Sequence, residues 1–586
     1  MPRTPSSTHP RIRNGYVCGA LGLAVGSVEA GLRASPLTGF GPAELAAFAG
    51  LSCVLGAALG GGLGLAVGGL PPARAARLGG ALLGALFGAV TWRYELVLNE
   101  SLREPSVLLG IAGGAMAGAL AGALVSFIPA RGLLVLAFAG LVTVGVRGRS
   151  AGGAPSPRPN VLVISLDTTR ADAVGDKPVW SRLAREGSVF TQAIAAAPIT
   201  EPSHLAMFTG QAPFRSGVVS NGTPLGERPL VWKELQAAGW LTAGFVSGFP
   251  LHSRYGWADG MSVYDDDFGA WPGAESLTAV KAWNEVTLKE NALRERTADR
   301  VLTRAERWLR AHKDETFFAF VHFYDAHGPY ISAGNGALGP PPTDGTALKL
   351  PPYWPAAHRA ITSTDWLRRA YDAEVATTDA AIGRLLDALG EELDNTIVIV
   401  TADHGESLTE HDYLFDHGDN LYDPSLRVPF VVRWPGQVRA GATLDCQLGG
   451  VDLAPTLRDL VGLPAGTAPA DGISRAAALR GGPCADTPVV ATTPAGRFVE
   501  NPPVDHALRG DGLKHIRHGA GGAVTFDLVA DPGELHPLAV TDELTRRAEA
   551  FERLLGTGGP TASPDLDAET RHALELLGYI EPAEPR

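Results

Sequence analysis

The sequence predicts an α/β domain with a mostly parallel sheet sandwiched by helices and a smaller C-terminal subdomain, the whole preceded by a transmembrane helix bundle. Three observations predict this. Apolar spans recur through the first 147 of the 586 residues. Beyond them, runs of aliphatic and β-branched residues alternate with stretches of helical periodicity. The three strongest runs each end in an aspartate, Asp167, Asp325 and Asp403.

The apolar spans cover about 15–32, 43–70, 78–98, 106–128 and 132–147. A helix needs roughly 20 apolar residues to cross a bilayer, and the second and fourth spans meet that length. The first carries Glu29, the third runs into Arg93 and Glu95, and the fifth is short, so a count of four rivals a count of five. Repeated spans argue against a cleaved signal peptide. Gly56, Gly60 and Gly64, and Gly110, Gly114, Gly118 and Gly122, recur at the spacing that lets helix backbones approach in lipid. Arg3, Arg11 and Arg13 favour a cytoplasmic N-terminus, so five spans place the C-terminal domain outside the cytoplasm and four leave it inside. The expected partner of this region is the lipid bilayer, and the expected location is a multi-pass site in the cell membrane.

Residues 148–159, "GRSAGGAPSPRP", have the composition of an extended tether. From Asn160 the chain reads as a soluble globular domain, with a core over 160–440 and a smaller subdomain over 441–586. "NVLVISLD" (160–167), "FFAFVHFYD" (317–325) and "TIVIVTAD" (396–403) read as buried parallel strands. "LTAGFVS" (241–247) and "VPFVVRW" (428–434) are shorter strand candidates, and helical periodicity appears around 299–312 and 367–390. A net charge of −13 argues against nucleic-acid binding. Two of the four cysteines, Cys446 and Cys484, lie in the polar part. They could pair in an oxidising compartment or remain free thiols.

Ligands of open α/β sheets bind beyond the carboxyl ends of the strands, so three strand-end carboxylates point to one edge. Each alone could be a helix N-cap. His404 follows Asp403 directly, His327 stands two residues after Asp325, and His417 lies in "FDHGDN". Carboxylates with imidazoles suit zinc, and oxygen-rich sets suit magnesium, manganese or calcium. Thr200, in "APITEPSHLAMFTG" (197–210), falls at or just before a helix N-terminus. There a metal could help deprotonate its hydroxyl, although a plain Thr cap is the alternative.

The segment from about 160 to 435 resembles the sulfatase family of the alkaline-phosphatase superfamily. "NVLVISLDTTRAD" is similar to the family's opening metal-binding strand, and "TEPSHLAMFTG" to its nucleophile motif. "FFAFVHFYDAHGPY" is similar to its Asp-x-His-x-Pro-Tyr segment. "TADHGESLTEHDYLFDHGDNLYDPSLRVPFVV" is similar to its second metal motif. The resemblance implies an alkaline-phosphatase-like fold and a divalent metal, with zinc, calcium, magnesium and manganese not distinguished. It implies that Asp167, Asp403 and His404 bind that metal, and that Asp325 joins a second metal or orients His327. Thr200 would be the nucleophile, and His327 and His417 would hold the oxyanion or assist the leaving group. His204 and Arg427 would contact substrate.

The sequence departs from the family pattern at three positions. Thr200 stands where sulfatases carry the cysteine that becomes formylglycine, His204 replaces the motif arginine, and Thr168 replaces a second aspartate. A formylglycine hydrate expels sulfate by collapsing to an aldehyde, an exit a sulfated threonine lacks. A phosphothreonine can be opened by a second attack at phosphorus. The expected activity is metal-dependent hydrolysis of sulfate or phosphate esters at the cell envelope. The alternatives are a phosphoethanolamine- or phosphoglycerol-type transferase, whose layout is similar, and an inactive envelope scaffold.

Overall fold

The computed structural model describes residues 158–268, 295–330, 338–351, 354, 358–464, 466, 470–495 and 502–555. The five apolar spans lie outside the described residues. Among the described residues no helix is long and apolar enough to cross a membrane. The chain divides into two compact units, 1–151 with 267–293, and 152–266 with 294–586. The described residues belong almost wholly to the second.

Its elements begin with β1 (Asn160–Leu166), α1 (Pro178–Glu186), β2 (Ser188–Ile194), α2 (Thr200–Thr209), α3 (Val231–Ala237), β3 (Leu241–Phe245) and β4 (Val263–Asp265). There follow α4 (Ala298–Ala311), β5 (Phe317–Phe323), α5 (Thr364–Leu389), β6 (Thr396–Ala402), β7 (Arg427–Val428), β8 (Phe430–Arg433), β9 (Ala442–Gly449) and α6 (Leu453–Leu460). The chain continues through β10 (Val489–Pro494), β11 (Val504–Gly510), β12 (Leu513–Arg517), β13 (Ala523–Asp527) and α7 (Asp542–Leu555).

Among the described residues, nine strands form one sheet in the order β4-β3-β5-β1-β6-β8-β2-β7, with β9 paired to β2. Only β7 and β8 run against the others, so the sheet is mixed with a parallel majority. Every residue of β1, β5 and β6 is buried, which is why these strands read as unbroken apolar runs rather than alternating ones. Helix α5 packs with both α1 and α4, and α2 packs with α3 and α6. These are the two layers that a sheet with two apolar faces requires. Helix α5 starts where the Ser363 side chain accepts the Trp366 N–H at 3.2 Å, an ordinary N-cap.

The second sheet is an antiparallel meander, β10-β11-β12-β13. The sequence boundary at 440 falls before β9, which pairs into the large sheet beside β2. Cys446 on β9 and Cys484 form a disulfide, with Cα atoms 5.8 Å apart.

Strand register sets the site. Leu166 of β1 pairs with Ala402 of β6, so Asp167 and Asp403 leave the sheet side by side. On the other flank Leu166 pairs with Phe323 of β5. Asp325 therefore stands one residue further out, a step of ~3.3 Å that also reverses the side-chain direction.

Candidate active site and metal centre

Helix α2 carries Thr200 as its first residue, preceded by the extended Ile199. All ten residues of α2 are buried, so a stretch that mixes apolar with polar side chains must satisfy its polar atoms inside the protein. Ser203 donates to the Asp403 carbonyl at 2.6 Å, tying the helix to the end of β6. Gly210 closes the helix at φ 77°, its N–H donating to Ala206 O at 2.9 Å. That left-handed conformation suits glycine. Thr200 Oγ1 then lies 3.4 Å from Asp167 Oδ2, to which it donates.

Three donor atoms converge beside it. Asp167 Oδ2 is taken up by Thr200 and by His322 Nε2 at 3.1 Å, leaving Oδ1 without a hydrogen-bond partner. Asp403 Oδ1 accepts from the N–H groups of His404 at 2.8 Å and Thr168 at 3.3 Å, leaving Oδ2 without one. His404 Nδ1 donates to Gly405 O at 2.9 Å, which fixes the tautomer and leaves Nε2 as a bare lone pair. This Nε2 is 3.5 Å from Asp403 Oδ2 and 4.0 Å from Asp167 Oδ1. None of the three side chains has solvent-exposed surface.

Buried acceptors clustered without donors are costly unless a cation completes them. Burial pushes the Asp167 carboxyl up to about 8, against the hydrogen bonds that favour its charged form. Burial, and then the neighbouring Asp167, push Asp403 well above the carboxylate range. The donor set fits a divalent ion. Ligand atoms ~2.0–2.2 Å from a tetrahedral ion stand ~3.3–3.6 Å apart; the 3.5 Å separation matches this, and the 4.0 Å one would close slightly around an ion. Asp167, Asp403 and His404 would hold that ion, and Thr200 Oγ1 is poised beside Asp167.

Two local features hold this geometry. Thr168 adopts φ 51°, a strained conformation for a β-branched residue. Its N–H is held by Asp403 and its carbonyl by the Tyr371 hydroxyl at 2.9 Å. Gly405 follows His404, and a Cβ there would overlap the Pro424 carbonyl.

The other expected site residues divide. The His417 ring lies 4.6 Å from that of His404 and 4.9 Å from that of His327, so the three imidazoles form a row. His417 Nδ1 lies 3.1 Å from Glu406 Oε1, and His327 Nδ1 lies 2.7 Å from Gly328 O. Asp325 instead accepts the Ala298 N–H at 3.0 Å at the start of α4, the helix-capping alternative, and it is not grouped with the three donors. Its carboxyl is pushed up to about 7, chiefly by burial.

His204 and Arg427, expected to contact substrate, do not join the three donors. His204 Nδ1 donates to Thr200 O at 2.8 Å and Nε2 accepts from Ser165 Oγ at 2.9 Å, so both ring nitrogens are occupied inside the protein. The same contacts count against a second cation held by His204, His322 and Asp403, although their donor atoms lie within 4.8 Å of one another. Arg427 is exposed at the sheet edge, where its Nε donates to Thr191 O at 3.1 Å. It lines a cleft of about 480 Å³ with Arg170, Asp172, Asp423 and Arg509, a cleft that Thr200 does not line.

Three contributors were missed in the sequence. His322 sits in an apolar strand, and its signal was a histidine at a fully buried position. Glu406 follows "DHG" directly and orients His417. Ser165 lies inside β1, where a lone serine carries no pattern.

The sulfatase family profile matches residues 159–463. The chain is 26% identical over 447 residues to an ulvan-active sulfatase of Formosa agariphila, covering 72% of this chain and 82% of that one. It is also 26% identical to a choline-sulfatase of Rhizobium meliloti, over 65% of this chain and 82% of the other. Among solved structures, a phosphonate monoester hydrolase of Agrobacterium radiobacter superposes with TM-score 0.54 at 21% identity, over 70% of this chain and all of that one. A structure in complex with D-glucosamine-2-N,6-O-disulfate gives TM-score 0.54 at 20% identity, over 68% and 97% of the two chains.

Proposed function

The chain belongs to the sulfatase family of ester hydrolases, and from that premise we propose that it cleaves its ester by direct attack of an unmodified Thr200, with phosphorus rather than sulfur at the reacting centre. The observation that carries this is the placement of Thr200 Oγ1 3.4 Å from Asp167 Oδ2, beside three unpartnered donor atoms. A divalent ion bound there supplies charge that lowers the hydroxyl's pKa and stabilises the transition state. One imidazole among the donors favours zinc or manganese over calcium.

In the first step Oγ1 bonds to phosphorus as the phosphorus–oxygen bond to the leaving alcohol breaks, and the Oγ1 proton ends on that alcohol. Water then attacks phosphorus, the phosphorus–Oγ1 bond breaks, a water proton returns to Oγ1, and phosphate leaves. Thr200 opens the ten-residue α2, so the positive end of that helix's dipole favours the growing negative charge. His327 and His417, in a row with His404, would donate to the leaving oxygen, with Glu406 beside the His417 ring. Sulfate esters are the class named for the curated relatives, yet a sulfated threonine has no aldehyde exit.

The apolar spans and the Cys446–Cys484 disulfide support a membrane-anchored enzyme with its catalytic domain in an oxidising compartment. An alcohol in place of water at the second step would make the enzyme a transferase.

The test compares 4-nitrophenyl sulfate, 4-nitrophenyl phosphate and a phenylphosphonate monoester side by side, with mass spectrometry of the Thr200 peptide after trapping. The expected result is faster cleavage at phosphorus and a phosphate or phosphonate adduct on Thr200. Faster sulfate cleavage by unmodified Thr200 would overturn the preference.

A further inference from the structure

Asp167 sits between two groups, and only one of them belongs to the reacting set. His322 Nε2 lies 3.1 Å from Asp167 Oδ2. In the charged form that binds a cation Asp167 Oδ2 only accepts, so the imidazole donates. His322 Nδ1 then carries a lone pair, and it has no hydrogen-bond partner in fully buried surroundings. The ring is therefore a neutral, one-sided donor.

Its placement is built into the fold. His322 on β5 pairs in register with Ser165 on β1, and its ring is stacked 6.4 Å from Phe320 and packed edgewise 6.1 Å from Tyr324. His204 of α2 lies edge-on to it, with ring centroids 5.0 Å apart at 89°. His204 in turn bridges Ser165 Oγ and Thr200 O. The two rings make a crossed brace: one holds the nucleophile's backbone against β1, and the other holds the Asp167 carboxylate.

We propose, resting on the metal-assisted reading above, that His322 is a positioning residue. Its Nε2–H pins Asp167 Oδ2, so that Oδ1 is presented to the cation and Oδ2 to the Thr200 hydroxyl. The argument is geometric. Without that donor the 3.4 Å contact from Thr200 is the remaining side-chain hydrogen bond on the carboxylate, and the carboxylate can turn about its χ2. A buried ligand free to turn binds its ion more weakly, and removing such an orienting partner typically costs roughly 10–100-fold in metal affinity.

The test uses the full-length protein stripped with chelator and titrated calorimetrically with Zn²⁺ and with Mn²⁺. His322→Phe keeps the ring and its aromatic contacts but removes the donor, whereas His322→Gln returns an N–H at similar reach. The expected result is roughly 10–100-fold weaker metal binding for His322→Phe with a melting temperature near wild type, and recovery of most of the loss in His322→Gln. Should His322→Phe misfold, Gln against Leu at the same position gives the same comparison. Equal metal affinity in wild type and the donor-free variant would overturn the positioning role. So would equal loss in the Gln and donor-free variants. A wild-type protein that binds neither ion would instead overturn the metal reading itself, and the positioning role with it.

Discussion

His404 Nε2 lies 3.5 Å from Asp403 Oδ2, and neither atom has a hydrogen-bond partner. Sequence neighbours at a strand end rarely aim bare acceptors at one another inside a protein, because each carries a desolvation cost of about 1–3 kcal/mol or more. A shared cation removes the conflict. Asp403→Asn keeps the shape, removes the charge, and is expected to abolish stoichiometric metal binding, read by metal analysis after dialysis. Retention of one ion per chain in this variant would count against the site.

The same carboxylates set a pH dependence. In the metal-free protein the folded Asp167 has its pKa raised from 3.8 to about 8 by burial. Between those values the folded state holds a proton that the unfolded state has lost. Metal-free stability should therefore fall as pH rises from about 4 to about 8. Metal must displace that proton, so its affinity should rise over the same range. Melting curves at several pH values, with chelator and with Zn²⁺ or Mn²⁺, check both signs.

Thr200→Ala should reduce turnover by roughly 10³-fold or more while leaving the fold intact, since the covalent route is lost. Thr200→Ser keeps a hydroxyl at the same helix position and should retain measurable activity and the trapped adduct. Activity of the Ala variant within tenfold of wild type would point to direct attack by water.

Gly405→Ala tests the packing behind His404. The added Cβ would meet the Pro424 carbonyl, and backbone cannot yield as a flexible side chain does. Overpacking of this kind costs about 1–3 kcal/mol. A lower melting temperature together with weaker metal binding is expected, because the shift displaces the adjacent His404.

Lys514 of β12 reaches from the small sheet into the loop after His417. Its Nζ lies 2.5 Å from Asp423 Oδ1, 2.7 Å from Glu534 Oε1 and 3.0 Å from Leu421 O, with no exposed side-chain surface. Thr493 of β10 also donates to Gly418 O. Burial pushes the Asp423 carboxyl up, but Lys514 and Arg509 outweigh it and hold it at about 2. Lys514→Met leaves Glu534 without its cation and Asp423 with Arg509 alone, and breaking a buried pair in this way costs about 3–5 kcal/mol. Urea unfolding measures the loss, and adding Asp423→Asn should return part of it.

Burial on both faces made the strands β1, β5 and β6 legible in the sequence, because it demands unbroken apolar runs, and the ends of those runs located Asp167 and Asp403. Asp325 shared that signature, but a one-residue difference in register sent it to cap α4, and register is invisible in one sequence. His322 was harder: a histidine in an apolar run reads as packing, and only the fold shows that its ring grips Asp167. His204 was read as a substrate contact, and only the fold shows both of its ring nitrogens occupied. Arg427 was drawn in by its neighbours in the chain, whereas β7 places it at an exposed edge. The antiparallel turn of β8 and the joining of β9 to β2 depend on pairing across the sheet, for which the local pattern holds no signal.

Anomalous diffraction from crystals grown with Zn²⁺ or Mn²⁺ tests the central claim most directly. The expected result is a peak ~2.0–2.6 Å from Asp167 Oδ1, Asp403 Oδ2 and His404 Nε2, with Thr200 Oγ1 turned toward it. A peak held by other residues, or none beside Thr200 in protein that cleaves its ester, would contradict it.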